Sequence, residues 1–173
     1  MGKVNLSKLD VAKRELEHAI KLFFNNGDFV IVHLVVSACQ DILEAIGGNE
    51  KSMRMNLIKS IKKEKQAYLM GKLKYAYNFF KHADRDSKKL LEFNPEASEF
   101  AIFDSIGMYQ SITGELTGLM GMFRAWFYLK YPDLLPEQEQ KKLFSDFSGE
   151  IDVNNKQMFL DVAEKLEKRR SGI

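Results

Sequence analysis

The chain has three histidines, and His82 stands in the most suggestive company. It closes the run Tyr77-Asn78-Phe79-Phe80-Lys81-His82, followed by Ala83-Asp84-Arg85-Asp86. On a helix, Asn78 and His82 share one face, one turn apart. Lys81, Arg85, Lys88 and Lys89 surround them. An imidazole that titrates near neutrality suits proton transfer at a phosphodiester. Adjacent cations favour its neutral form. Lys81 and Arg85 could stabilise the charge developing on phosphorus. Candidate catalytic residues are therefore His82, Asn78, Lys81 and Arg85. The structural alternative is a helix-end histidine resting on terminal carbonyls.

The other histidines point away from chemistry. Glu15 and His18 have the Glu-x-x-His spacing of di-iron bundles. No second copy exists, and His18 lies nearly opposite Leu16 and Phe23, which makes it a solvated residue. His33 belongs to a polar seam with Ser37, Gln40, Asp41 and Glu44, where a buried, hydrogen-bonded histidine is expected. A metal held by His82, Asp84 and Asp86 would sit among cations with no further ligand pattern, so neither a metal nor another cofactor is expected. Cys39, the single cysteine, lies in an apolar run and reads as a buried inert thiol, in keeping with a reducing cytoplasm.

Charge adds a second signal. The net charge of the 173 residues is +2, but its distribution is uneven. Residues 51–89 hold twelve of the 26 Lys and Arg and three of the 24 acids, a balance of +9 that leaves −7 to the rest. Tyr68, Tyr75 and Tyr77 interleave with the cations. That mixture suits a phosphate-bearing partner such as RNA or a nucleotide. Candidate contacts are Lys59, Lys62, Lys63, Lys74, Tyr77 and Lys88. The alternatives are a solvated helix face, the acidic C-terminal region as partner in cis or across a dimer, or an acidic surface of another protein.

The elements that must position these residues are helical. Apolar residues at Leu9, Ala12, Leu16, Ala19, Ile20 and Phe23 predict a first helix from Ser7 to Asn25, with Ser7 and Asp10 as a capping box. Phe29 to Ile46 has strand-like composition, yet its polar residues recur at helical spacing and predict a buried helix. A basic helix capped by Asn49 or Ser52 and ending near His82-Ala83 turns Leu57, Ile58, Ile61, Tyr68, Tyr75 and Phe79 inward, with Gly71 as the place where it bends or splits. Asp86 would cap a short helix over Ser87 to Phe93. Asn94-Pro95-Glu96 starts another that runs to Tyr131. On that long helix Gly107, Ser111, Gly114, Gly118, Gly121 and Ala125 would form one small-residue stripe. The stripe serves tight packing in the bundle or a subunit interface. The aromatic end, with Phe123, Trp126, Phe127, Tyr128 and Tyr131, is mostly core, with an apolar contact surface left over. Helices over Pro136 to Phe147 and Asp152 to Arg169 complete an all-α, up-down bundle of five to seven helices. One domain spans 1–173, with 6–131 as the main bundle and 132–173 as C-terminal helices packed on it. No run is long and apolar enough to span a membrane, and a cytoplasmic protein is expected.

Leu9 to Ile46 resembles the opening helix pair of the HEPN superfamily. The likeness lies in Ala12 and Leu16, Ile20-Lys21-Leu22-Phe23-Phe24, the Gly27-Asp28-Phe29 turn, and a second apolar helix through Ala38 to Leu43. Asn78 to His82 is similar to the late-bundle motif of HEPN ribonucleases, which runs arginine, polar residue, short spacer, histidine. Asn78 fits the polar position and His82 the histidine, while Tyr77 stands where the arginine would be. The resemblance covers roughly residues 6–90. It implies a homodimer whose two motifs face each other and metal-independent RNA cleavage through the ribose 2′-hydroxyl, or a degenerate relative of such a ribonuclease. Many members of the superfamily are toxins, and others bind nucleotides. The competing expectation is a non-catalytic dimeric interaction module that uses the Gly107–Gly121 stripe and the aromatic helix end.

Overall fold

Ser7 opens the first helix as its spacing predicts. Its hydroxyl accepts from the Asp10 N–H at 3.1 Å, and the Asp10 carboxylate accepts from the Ser7 N–H at 2.9 Å. A computed structural model describes residues 2–82, 84, 87–139, 141 and 151–170. Among these, α1 (Lys8–Phe24) is followed by α2 (Phe29–Ala45), α3 (Met53–Lys59), α4 (Lys63–Leu73) and α5 (Tyr75–Lys81). Then come α6 (Glu96–Thr113), α7 (Gly118–Lys130) and α8 (Lys156–Arg170). Single 3-10 turns cover Gly48–Glu50 and Pro132–Leu134. The described residues contain no strand, so the fold is an all-α bundle. No described helix is long and apolar enough to cross a membrane.

The β-branched run of α2 is helical because both of its faces are occupied. Val32, Val36, Cys39 and Leu43 enter the core, while His33, Ser37 and Gln40 are buried on the polar seam. Asp28 caps the helix by accepting from Val30 N–H at 2.8 Å. α1 folds back on α2, α2 packs along α6, and α8 lies against α7 and α1. The core is strongly aromatic. Phe23, Phe24, Phe123, Trp126 and Phe159 pack ring to ring, and the Trp126 Nε1–H donates to Val153 O at 2.9 Å. Of the five aromatics on α7 and its cap, Phe123, Trp126 and Phe127 are buried. Tyr128 and Tyr131 are half-buried, and Tyr131 donates to Glu99 at 2.7 Å.

Three expectations need correction. The helix that was to run from Asn94 to Tyr131 is two helices. Gly114 ends α6 at φ +72°, and Thr117 starts α7 by accepting from Met120 N–H. The stripe from Gly107 to Gly121 therefore does not lie on one helix. Of the glycines in that stripe, only Gly118 permits a close approach, because a Cβ there would meet Glu167 Oε1 at 2.8 Å and Leu166 Cβ at 3.3 Å. That approach is internal, between α7 and α8.

The basic helix is likewise three helices. The breaks fall at Ser60–Lys62 and Lys74 and not at Gly71. Ile58 is its one buried apolar residue, while Leu57, Tyr68 and Tyr75 are exposed. α4 and α5 bury no residue fully, so no continuous apolar face held the segment as one helix. Finally, Ser87 to Phe93 forms a turn and irregular chain, not a helix. Most of the helix expected over Pro136 to Phe147 lies outside the described residues.

Candidate nucleic-acid interface and the cavity beneath it

The polar seam of α2 decides where the basic segment sits. Asp41 and Glu44 take two of its cations out of solvent. Lys74 Nζ lies 2.6 Å from Asp41 and 3.8 Å from Glu44. Arg54 Nε donates to Glu44 Oε1 at 2.9 Å. Arg54 Nη2 stands 2.7 Å from the same oxygen, off the hydrogen-bond line, and 3.7 Å from Asp41. These pairs pin α3 and the α4–α5 joint to the bundle. Lys74 is thus engaged in a structural ion pair, unlike the lysines that lie open on α3 and α4.

α6 supplies a second anchor. Asp104 is 4% exposed and accepts from Met53 N–H at 2.6 Å, Ser52 Oγ at 3.1 Å, Gln40 Nε2 at 3.2 Å and, more weakly, Arg54 N–H at 3.5 Å. Ser52 also accepts from Met55 N–H at 3.1 Å. Asp104 therefore caps α3 from another helix, where a carboxylate at the N-terminus meets both orphan donors and the helix dipole. Burial raises its pKa against the pull of those hydrogen bonds.

His33 lies a few residues before Gln40 on the same seam. It is 6% exposed, and its Nδ1 is 3.2 Å from Ser98 Oγ. Phe93 packs against its ring at 4.8 Å and Phe80 at 5.9 Å between centroids. Burial first, and the Arg54 charge second, lower its pKa to about 4. It is neutral at pH 7. His18 is exposed, and Cys39 is buried with its thiol donating to Ala12 O at 3.3 Å. Burial raises the Cys39 pKa, so the thiol is unreactive.

Other candidate residues lie on the outside. Lys59, Lys62, Lys63 and Lys88 are exposed, and no described acid pairs with any of them. Lys62 and Lys63 open α4, with Lys65 one turn on. That helix start has no side-chain cap and one acid, Glu64. Cations at the positive end of a helix repel the dipole. Tyr68 is 66% exposed, with Lys72 5.4 Å from its ring centre. Tyr77 is half-buried and Lys81 covers it, Nζ standing 3.8 Å from the ring centre. Lys81 thus has a partner already.

His82 ends α5 in extended conformation and is exposed. Its backbone N–H donates to Asn78 O at 3.1 Å. The helix brings Asn78 and His82 one turn apart, but no described residue hydrogen-bonds either side chain. Arg85 lies outside the described residues. No group of three or more His, Cys, Asp or Glu among the described residues is placed to hold a metal.

Asp104 and Ser98 were missed as site residues. The signal was present: Asp104 stands inside Ala101-Ile102-Phe103-Asp104-Ser105-Ile106, and an acid flanked by apolar residues on a helix needs buried donors. Comparison with protein-family models, curated proteins and solved structures finds no match to this chain.

Proposed function

We propose that the chain binds single-stranded RNA through the exposed lysines of α3 and α4, as a HEPN-like protein. One observation carries this reading. Once Arg54 and Lys74 are neutralised by Asp41 and Glu44, Lys59, Lys62, Lys63, Lys65 and Lys72 remain exposed, with no described acid paired to them. Among the described residues, then, the acids of the chain balance only part of the basic segment. A polyanion relieves the mutual repulsion of these lysines and releases its counterions. Tyr68 beside them offers a stacking face for a base. The HEPN-like reading adds a homodimer and places cleavage chemistry at His82 with Asn78 nearby.

Binding and cleavage are tested separately. Fluorescence anisotropy of a short labelled single-stranded RNA should give an affinity that falls linearly with salt on a log–log plot. Reversing Lys62 and Lys63 to Glu removes about two phosphate contacts, so the slope should flatten by about 1.4. A salt-independent affinity, or none, rejects the binding claim. Cleavage assigned to His82 must vanish in His82→Ala, a variant whose exposed position leaves stability within about 0.5 kcal/mol.

A further inference from the structure

A cavity of about 430 Å³ lies between α2, α3 and the first half of α6. Its size is that of small-molecule sites. Met53, Leu57, Leu73 and Phe100 supply apolar walls. His33, Ser37 and Gln40, at helical spacing on α2, line another side with uncharged polar groups.

Each of those three residues keeps hydrogen-bonding capacity. His33 meets Ser98 through Nδ1, and no described residue takes its Nε2. Ser37 is 3% exposed, yet no described residue hydrogen-bonds its hydroxyl. Gln40 gives Nε2 to Asp104, while its amide oxygen has no described partner. Their unpaired atoms are not sealed in protein but open onto the cavity, so three incompletely paired residues line one wall where a ligand can reach them.

The charges around the cavity already have counter-charges or donors, although Arg54 Nη2, 2.7 Å from Glu44, makes no hydrogen bond of its own. Asp104 holds donors from Gln40, Ser52 and the start of α3, and Arg54 is committed to Glu44. A charged ligand would be desolvated without a counter-charge, and a purely apolar one would leave the α2 row unpaired. The Gln40 oxygen accepts only, so the ligand must bring a donor. We infer that this cavity binds an uncharged heteroaromatic base or amide, with an apolar body and one edge that both donates and accepts hydrogen bonds. The site is separate from the lysine surface and stands whether or not that surface binds RNA.

The test uses the full chain, with nicotinamide and adenine as probes and nicotinate as the charged isostere of the first. Isothermal titration, with ligand-observed saturation-transfer NMR for weak binding, should show one site for at least one neutral probe. Nicotinate should bind at least tenfold more weakly than nicotinamide wherever nicotinamide is the binder. Ser37→Ala should weaken the bound probe about tenfold. Ala97→Trp should abolish binding, because Ala97 lines the cavity yet is solvent-exposed in the first turn of α6, where a larger side chain is tolerated. Lys62→Glu with Lys63→Glu should leave probe affinity unchanged. The inference is overturned if neither neutral probe binds at millimolar concentration. It is also overturned if nicotinate matches nicotinamide, or if binding survives Ala97→Trp undiminished.

Discussion

Replacing His33 by glutamine should remove a defined part of the protein's acid sensitivity. His33 has an ordinary pKa of 6.5 and is lowered to about 4 in the fold by burial and by the Arg54 charge. A base with a depressed folded pKa contributes stability that is intact above 6.5 and is lost as pH falls toward 4, because the unfolded chain takes the proton first. For these two pKa values the loss from pH 7 is about 2 kcal/mol at pH 5 and about 3 kcal/mol at pH 4. Glu15, Glu17 and Asp104, whose pKa values are raised mainly by burial, act in the opposite direction. They are present in both proteins and cancel in the comparison. Urea denaturation of wild type and His33→Gln at pH 7 and pH 5 reads the difference directly. The wild type should lose about 2 kcal/mol more than the variant across that interval. Parallel losses would refute the reasoning, since His33 would then titrate alike in folded and unfolded chains.

Other outcomes follow from the same contacts. Asp104→Ala strands the Met53 N–H, Ser52 and Gln40 in a buried setting, and should cost about 3 kcal/mol in chemical denaturation. Hydrogen exchange in that variant should quicken first in α3, which loses its cap. Gly118→Leu drives a side chain into Leu166 and Glu167, so α8 should become sensitive to trypsin while the oligomeric state in size-exclusion chromatography stays unchanged. Gly114→Ala places a side chain at φ +72° and should lower stability by about 1 kcal/mol in thermal melts, again without altering assembly.

The helices with one-sided apolar spacing were legible in the sequence. α1 shows its face and its capping box, and the β-branched α2 betrays itself by polar residues at helical intervals. The division of α6 from α7 was not legible. Glycines at steps of three and four fit a packed stripe as well as a C-cap, and only the left-handed Gly114 distinguishes them. The basic segment misled for a related reason. Its aromatics, Tyr68 and Tyr75, keep helical spacing without a core to meet, so spacing alone gave them a buried face that they lack. The seam residues around His33 were visible one at a time. Their convergence with Asp104 depends on α2 packing along α6, a long-range contact that no local pattern encodes. The pairing of Lys74 with Asp41 is hidden in the same way, and with it the distinction between structural and open lysines.

That distinction gives the most direct test of the RNA-binding claim. Lysine acetylation rates, mapped by mass spectrometry with and without saturating single-stranded RNA, report each amine separately. RNA should protect Lys59, Lys62 and Lys63, and should leave Lys74 slow in both conditions because Asp41 already holds it. Protection confined to Lys165 and Lys168 on α8, or no protection anywhere, would contradict the account.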